Sequence, residues 1–310
     1  MTDTARFSGV LTPVVMPFRP DLSPDAARLI RQCRWLLSQN VGLAVFGTNS
    51  EANSLSVDEK IGLLDELVNA GIDTSRLMPG TGCCALTDSV RLTVHAVKLR
   101  CAGVLMLPPF YYKDVTDEGL FRSYAEIIER VAEPGLRIYL YHIPPIAQVG
   151  ISLDLIERLV TAYPQTIAGI KDSSGDWQNT SALLARQWDD FQVFAGSESF
   201  LLRNMQGGGA GCISATANIN PAAIHRLYTG WQSATAQSLQ ADLDALRELL
   251  QSFPMIPALK AVIAYYSADR AWHVVRPPLV ELPEEHKLSL LKQLHRRGFE
   301  MPGLKEAAAA

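Results

Sequence analysis

The chain has 310 residues, 48% of them hydrophobic and 19% charged, with a formal net charge of -4 and a pI near 5.9. That length and apolar content allow one large domain or two medium ones, and one domain with a sizeable core is expected. The acidic balance offers no basic field for nucleic acid or an anionic membrane, and no eighteen consecutive residues are apolar, so a small-molecule ligand and a cytoplasmic location are expected.

In chain order, residues 1–6 carry an acid and no long apolar run, which argues against a leader. Residues 7–15 read as a strand that breaks at Thr12-Pro13 and is followed by Pro17. Ser23-Pro24-Asp25 then opens a helix to about Gln39, with Ser23 as N-cap and Pro24 at the first helical position. Residues 41–46 form a second buried strand, ended by Gly47-Thr48-Asn49-Ser50-Glu51, after which Ser56 caps a helix over 57–70. The same strand, polar loop and helix recur at 76–79 with a helix over 87–100, at 103–107 with a helix over 116–132, and at 136–141 with a helix over 152–162. Next come a strand over 167–170 ending at Lys171, with capping residues 173–176 and a helix over 177–188, then a strand over 191–195 with a short helix. The last unit pairs a strand over 210–213 with a helix over 221–231.

Eight such units before residue 232 predict a parallel α/β fold, and a closed (β/α)8 TIM barrel fits them better than an open doubly wound sheet. No Gly-x-Gly-x-x-Gly follows the first strand, as an open dinucleotide-binding sheet would need. Residues 1–232 are expected to form the barrel. Residues 233–310, with helical patterns over 233–251, 256–266 and 284–295 and a rigid Arg276-Pro277-Pro278-Leu279 spacer, are expected to pack on it as a C-terminal appendage of one structural unit. The Ala-rich tail, 305–310, carries no expectation. The five cysteines, odd in number and without a Cys-x-x-Cys spacing, read as thiols of a reducing compartment.

Active sites of such barrels lie at the carboxyl ends of the strands, which turns the strand assignment into a site assignment. Thr48 and Asn49 follow the second strand, Tyr111 or Tyr112 the fourth, Tyr141 the fifth, Lys171 the sixth, Ser197 and Glu198 the seventh, and Ser214 the eighth. One amine, several hydroxyls and no metal-ligand cluster suit Schiff-base chemistry, in which a lysine amine attacks a ketone and the iminium permits an enamine. The amine must shed its proton, which apolar neighbours promote, and Ile170 and Ile213 are candidates for that role. Tyr141 is the candidate proton-transfer phenol, oriented by Thr48, while the amides of Thr48 and Asn49 are candidates for a substrate carboxylate.

These residues resemble the dihydrodipicolinate synthase and N-acetylneuraminate lyase family of class I aldolases and dehydratases that handle pyruvate. Gly47-Thr48-Asn49-Ser50-Glu51 resembles its Gly-[Thr/Ser]-x-Gly-Glu carboxylate loop, Tyr141-His142-Ile143-Pro144 its Tyr-Asn-x-Pro, and Gly169-Ile170-Lys171-Asp172 with Ser174-Gly175-Asp176 its Schiff-base strand. Residues 213–218 resemble its eighth-strand segment, and Arg276-Pro277-Pro278-Leu279 its C-terminal signature. The resemblance implies a lyase with Lys171 as the iminium lysine, Tyr141 as the proton-transfer phenol and Thr48 as its relay, without metal or other cofactor. It also implies a homotetramer in which a tyrosine of Tyr111-Tyr112 enters a neighbour's site, and the spacing to Glu118 favours Tyr112.

The departures from that pattern bear on the second substrate. Ser50 stands where the motif has glycine, and His142 where it has asparagine, either as a packing residue or as a polar group facing substrate. Ile146 occupies the place of the arginine with which true dihydrodipicolinate synthases grip the second substrate's carboxylate, and isoleucine cannot imitate that clamp. Ser197-Glu198-Ser199 and Ala215 match the sugar-binding residues of sialic-acid lyases only loosely. The expected activity is therefore aldol cleavage, condensation or dehydration of pyruvate or a longer 2-oxo acid, with Ile213, His142 and Ser197 lining the substrate. A genuine 4-hydroxy-tetrahydrodipicolinate synthase, joining pyruvate to aspartate semialdehyde, is the first alternative, and a non-catalytic barrel that binds a small acid is the second. Metal-dependent aldol chemistry is disfavoured because His95 and His225 fall inside helical patterns.

Overall fold

The computed structural model describes residues 6–309; residues 1–5 and Ala310, to which the leader reading and the ends of the expected domains extend, lie outside them. Seven strands are named: β1 (Gly9–Thr12), β2 (Gly42–Leu43), β3 (Val104–Met106), β4 (Ile138–His142), β5 (Ile167–Asp172), β6 (Gln192–Ala195) and β7 (Gly211–Ile213). They form one sheet in the order β2-β1-β7-β6-β5-β4-β3, with parallel pairing from β3 through β7 and between β1 and β2. An α/β fold with a parallel sheet is thus observed. Helices follow the strands, and β4 and β5 are buried along their whole length, the reason they read as continuous apolar runs rather than alternating ones.

The expected strand at 76–79 is absent from the named strands. Among the described residues it is represented by a parallel bridge of Gly80 to Leu105, with Leu105 N–H donating to the Pro79 carbonyl at 2.9 Å and Thr81 N–H to the Leu105 carbonyl at 3.0 Å. Pro79 has no N–H, so this segment cannot supply a full ladder. The strand expected over 41–46 is also short, because Phe46 turns to φ 60° before the loop. At the first helix the cap differs: Ala26–Ser38 begins after Asp25, whose carboxylate accepts from Arg28 N–H at 2.9 Å. Asp25 N–H reaches back to the Pro17 carbonyl at 2.9 Å, and Pro24 bridges Phe18, so residues 23–25 are held extended and Ser23 cannot cap.

The chain divides into two compact units, one combining the residues up to Gly9 with Asp73–Ile213, the other combining Val10–Ile72 with the residues from Ser214 onward. In the first unit, Thr116 and Ser152 cap the helices Asp117–Val131 and Leu153–Ala162 through their hydroxyls, as the sequence predicted. The Asn204 amide joins β6 to β7 by donating to the carbonyls of Val193 at 3.0 Å and Gly211 at 2.9 Å. Gly209 is required there, since a Cβ would fall 2.3 Å from the Asn204 side chain. Tyr139 packs edge-on to Phe194 with ring centroids 5.8 Å apart, and its hydroxyl accepts from Phe7 N–H at 2.9 Å.

In the second unit the helix Met255–Ser267 is the core, with Ala258, Leu259, Val262 and Ile263 fully buried. Asn218 ties chain segments together: its amide donates to the carbonyls of Pro13 at 3.0 Å and Ala215 at 2.9 Å, and its oxygen accepts from Val15 N–H at 2.9 Å. The tail contributes a helix, Leu304–Ala309, beside which the Trp35 indole donates to the Pro302 carbonyl at 3.0 Å.

Candidate active site

Lys171 lies in β5, one residue before its end, and its register partners are Tyr141 on β4 and Phe194 on β6. Partners directly opposite in a parallel sheet point to the same face. Accordingly, the Lys171 ammonium position is 4.1 Å from the centroid of the Tyr141 ring. Lys171 is 2% exposed and Tyr141 3%. Among the described residues Lys171 forms no ion pair, which is unusual for a buried lysine and fits a reactive amine better than a structural one.

The neighbouring carboxylate is committed elsewhere. Asp172 points to the other face of β5, where it accepts from Ser174 N–H at 2.9 Å, the Asn179 amide at 3.0 Å and the Thr180 hydroxyl at 2.6 Å. It thereby fixes the start of the helix Trp177–Ala185 against the strand that carries Lys171. His142 is the register partner of Asp172, so its side chain faces away from the Lys171–Tyr141 pair. Its Nδ1 accepts from Ile151 N–H at 3.0 Å, which leaves the other nitrogen to carry the proton in the neutral ring. Burial pushes its pKa below 6.5, against the opposing pull of Asp172. The bond from Ile151 N–H ties the following loop to the end of β4.

Other predicted residues are arranged around these strand ends. Ile213 closes β7 and is fully buried. The Ser197 hydroxyl accepts from Ser199 N–H at 3.2 Å and caps the short turn Glu198–Phe200 after β6. Tyr111 and Tyr112 follow β3, edge-on to one another at 5.3 Å, and are 74% and 73% exposed. Lys113 beside them donates to the carbonyl of Phe110 and, at 2.8 Å, to that of Ala147, joining this loop to the turn Pro144–Ala147. Ile146 stands on that turn, 62% exposed.

In the second unit, Thr48 and Asn49 open a turn of 3-10 helix, Thr48–Ser50. Ser50 occupies a helical backbone position that needs no glycine. Its buried hydroxyl accepts from Gly47 N–H at 3.3 Å and donates to the Val14 carbonyl at 2.5 Å, so it pins the loop. The left-handed residue is Glu51, at φ 51°. Sequence reasoning missed the partners of Glu51: Lys260 pairs with one carboxylate oxygen, and Arg276 N–H donates to the other at 2.8 Å. The available signal was a lysine on the apolar face of the 256–266 pattern. Among the described residues no three His, Cys, Asp or Glu side chains come together to hold a metal, and His95 and His225 lie inside helices. No helix of the described residues is long and apolar enough to cross a membrane.

A model of the dihydrodipicolinate synthetase family matches residues 6–297. A protein of Chloroflexus aurantiacus named an uncharacterized DapA-like lyase is 32% identical over 285 residues, 91% of this chain and 94% of its own. The crystal structure of dihydrodipicolinate synthase from Agrobacterium tumefaciens matches with a TM-score of 0.86 at 28% identity, covering 93% of this chain and 98% of that one. A prophage protein of the same family from E. coli, solved in complex with pyruvate, matches with a TM-score of 0.86 at 23% identity over 95% of this chain and 100% of its own, and bears on the fold alone.

Proposed function

The chain belongs to the dihydrodipicolinate synthetase family and is an enzyme of its lyase type, and we propose that it acts by forming a Schiff base between Lys171 and pyruvate or a longer 2-oxo acid. The observation that carries this reading is the buried Lys171 amine, without a carboxylate partner among the described residues, against the ring of Tyr141 at the carboxyl end of the sheet. The amine adds to the C2 carbonyl, and loss of water gives the iminium. The iminium takes up the electron pair left when C3 loses a proton or when a C3–C4 bond breaks, giving the enamine. Reverse addition of that enamine to an aldehyde is condensation, and expulsion of a β-hydroxyl is dehydration. Tyr141 moves protons to and from the carbinolamine, with Thr48 as relay. The amides of Thr48 and Asn49 take the carboxylate, and Ile213 and Ser197 line the bound acid.

The finer architecture belongs to the same proposal. Segment 76–79, continued by the bridge at Gly80, serves as the third strand in chain order and completes a (β/α)8 barrel over residues 1–232, with 233–310 as its helical appendage in one structural unit. The exposed Tyr112 completes a neighbour's site in a homotetramer. The acidic, thiol-bearing chain works in the cytoplasm.

Borohydride added with pyruvate is expected to leave a stable added mass on the peptide containing Lys171, and none in Lys171→Arg. An unlabelled wild type, under conditions that trap a known Schiff-base aldolase, sinks the proposal. A second reading, a true 4-hydroxy-tetrahydrodipicolinate synthase, is favoured by the 28% identity to the Agrobacterium enzyme and opposed by Ile146. Condensation of pyruvate with aspartate semialdehyde at an ordinary turnover decides for it.

A further inference from the structure

The loop that carries Thr48 and Asn49 has a buried, charged support that the reaction as proposed does not use. Glu51 holds a left-handed backbone, φ 51°, directly after the Thr48–Ser50 turn. A glutamate adopts that conformation only when its surroundings over-determine it. Here the carboxylate, 4% exposed, is gripped on both oxygens, by Lys260 and by Arg276 N–H at 2.8 Å. Lys260 is fully buried in the helix Met255–Ser267 and donates as well to the Val274 carbonyl at 2.7 Å. The Arg276 guanidinium pairs with Glu59, in the first turn of the helix Val57–Asn69, and donates to the carbonyls of Ser54 at 2.5 Å and Leu22 at 2.9 Å. Both cations lie 4.8 Å from the Phe18 ring centroid.

Burying an ion pair of this kind is a poor source of net stability compared with well-packed apolar groups. Its return is geometric, because a carboxylate held at both oxygens fixes the backbone that bears it. Three chain segments meet at Glu51, its own loop, the helix of Lys260 and the segment of Arg276, and the fixed backbone is that of the Gly47–Glu51 loop. Burial draws the Lys260 pKa down to about 8, while Glu51 pulls the other way.

We infer that Glu51, Lys260 and Arg276 are positioning residues that aim the Thr48 and Asn49 amides, so that the enzyme's preference for a free carboxylate on its ketone substrate depends on them. This rests on the Schiff-base reading and on the loop's role within it. Lys260, saturated by Glu51 and Val274, is not itself a nucleophile.

The test compares pyruvate with methyl pyruvate, which has the same ketone but no charged acid group, in borohydride trapping at Lys171. In the wild type, half-saturation is expected at about tenfold lower concentration for pyruvate than for the ester. Glu51→Gln keeps the shape and removes the charge, and Lys260→Met removes the partner. Both variants are expected to cut that preference by about fivefold or more, chiefly through weaker pyruvate capture, with the trapping rate at saturation within about threefold of wild type. The Glu51→Gln/Lys260→Met double variant, which buries no unpaired charge, is expected to show a loss no greater than either single variant and keeps the test open if Lys260→Met does not fold. Variants that weaken capture of both ketones equally, or that keep the wild-type preference, overturn the inference. A wild type that traps at Lys171 without preferring pyruvate also overturns it while leaving the Schiff-base reading intact. A wild type that traps neither ketone removes that reading first.

Discussion

At the scale of single residues, adjacent positions on one strand have opposite duties. Lys171 and Tyr141 share a face of the sheet, while Asp172 and His142, each one residue further on, share the other. Tyr141→Phe keeps the ring against Lys171 and removes only the hydroxyl. Turnover is expected to fall about 10²- to 10⁴-fold, with trapping at Lys171 still detectable, as single-turnover borohydride assays can show. His142 offers a pH prediction. Its folded pKa lies below the ordinary 6.5 because of burial, so its contribution to stability is complete above pH 6.5 and is lost as pH falls through the folded value. Protonation also costs the bond that Nδ1 accepts from Ile151 N–H. Between pH 7 and pH 5 the wild type should lose more thermal stability than His142→Asn, and parallel losses in the two proteins would contradict this.

At the scale of elements, the site depends on how each strand is joined to the helix after it. Asp172 accepts three hydrogen bonds, of which the two from Asn179 and Thr180 hold the helix Trp177–Ala185 to the end of β5. Asp172→Ala leaves the buried Thr180 hydroxyl and the Asn179 amide without their acceptor. A loss of about 2–3 kcal/mol is expected in urea unfolding, together with slower trapping at Lys171. Most helix starts were readable from local chemistry, since Ser56, Thr116, Ser152 and Asp176 all accept from backbone amides as predicted. One exception, Asp25 in place of Ser23, arises from the Asp25–Pro17 hydrogen bond and the Phe18–Pro24 bridge, which local preference does not register; another is the helix Leu86–Lys98, which starts after Ala85 rather than at Thr87 and has no side-chain cap. Local pattern reads 76–79 as an ordinary strand, whereas Pro79 limits the chain there to the Gly80–Leu105 bridge.

At the scale of the whole molecule, the proposed homotetramer makes a direct prediction. Sedimentation velocity across a concentration series should give a species of about four times the 34.0 kDa chain mass. Tyr112→Ala should lower turnover, and a monomer with full activity would remove both the tetramer and the shared tyrosine. The sequence alone determined the alternation of strand and helix, several of the capping residues and the choice of Lys171 and Tyr141 as candidates. Those features follow from periodicity, side-chain chemistry and the convergence of strand ends in a parallel sheet, all of which are encoded locally or by order along the chain. Only the tertiary structure decided which way His142 faces, because that depends on its register with Asp172. Only it revealed Lys260 beneath the Gly47–Glu51 loop, since Glu51 and Lys260 are 209 residues apart and a buried ion pair is set by packing, which leaves no periodic trace in the sequence.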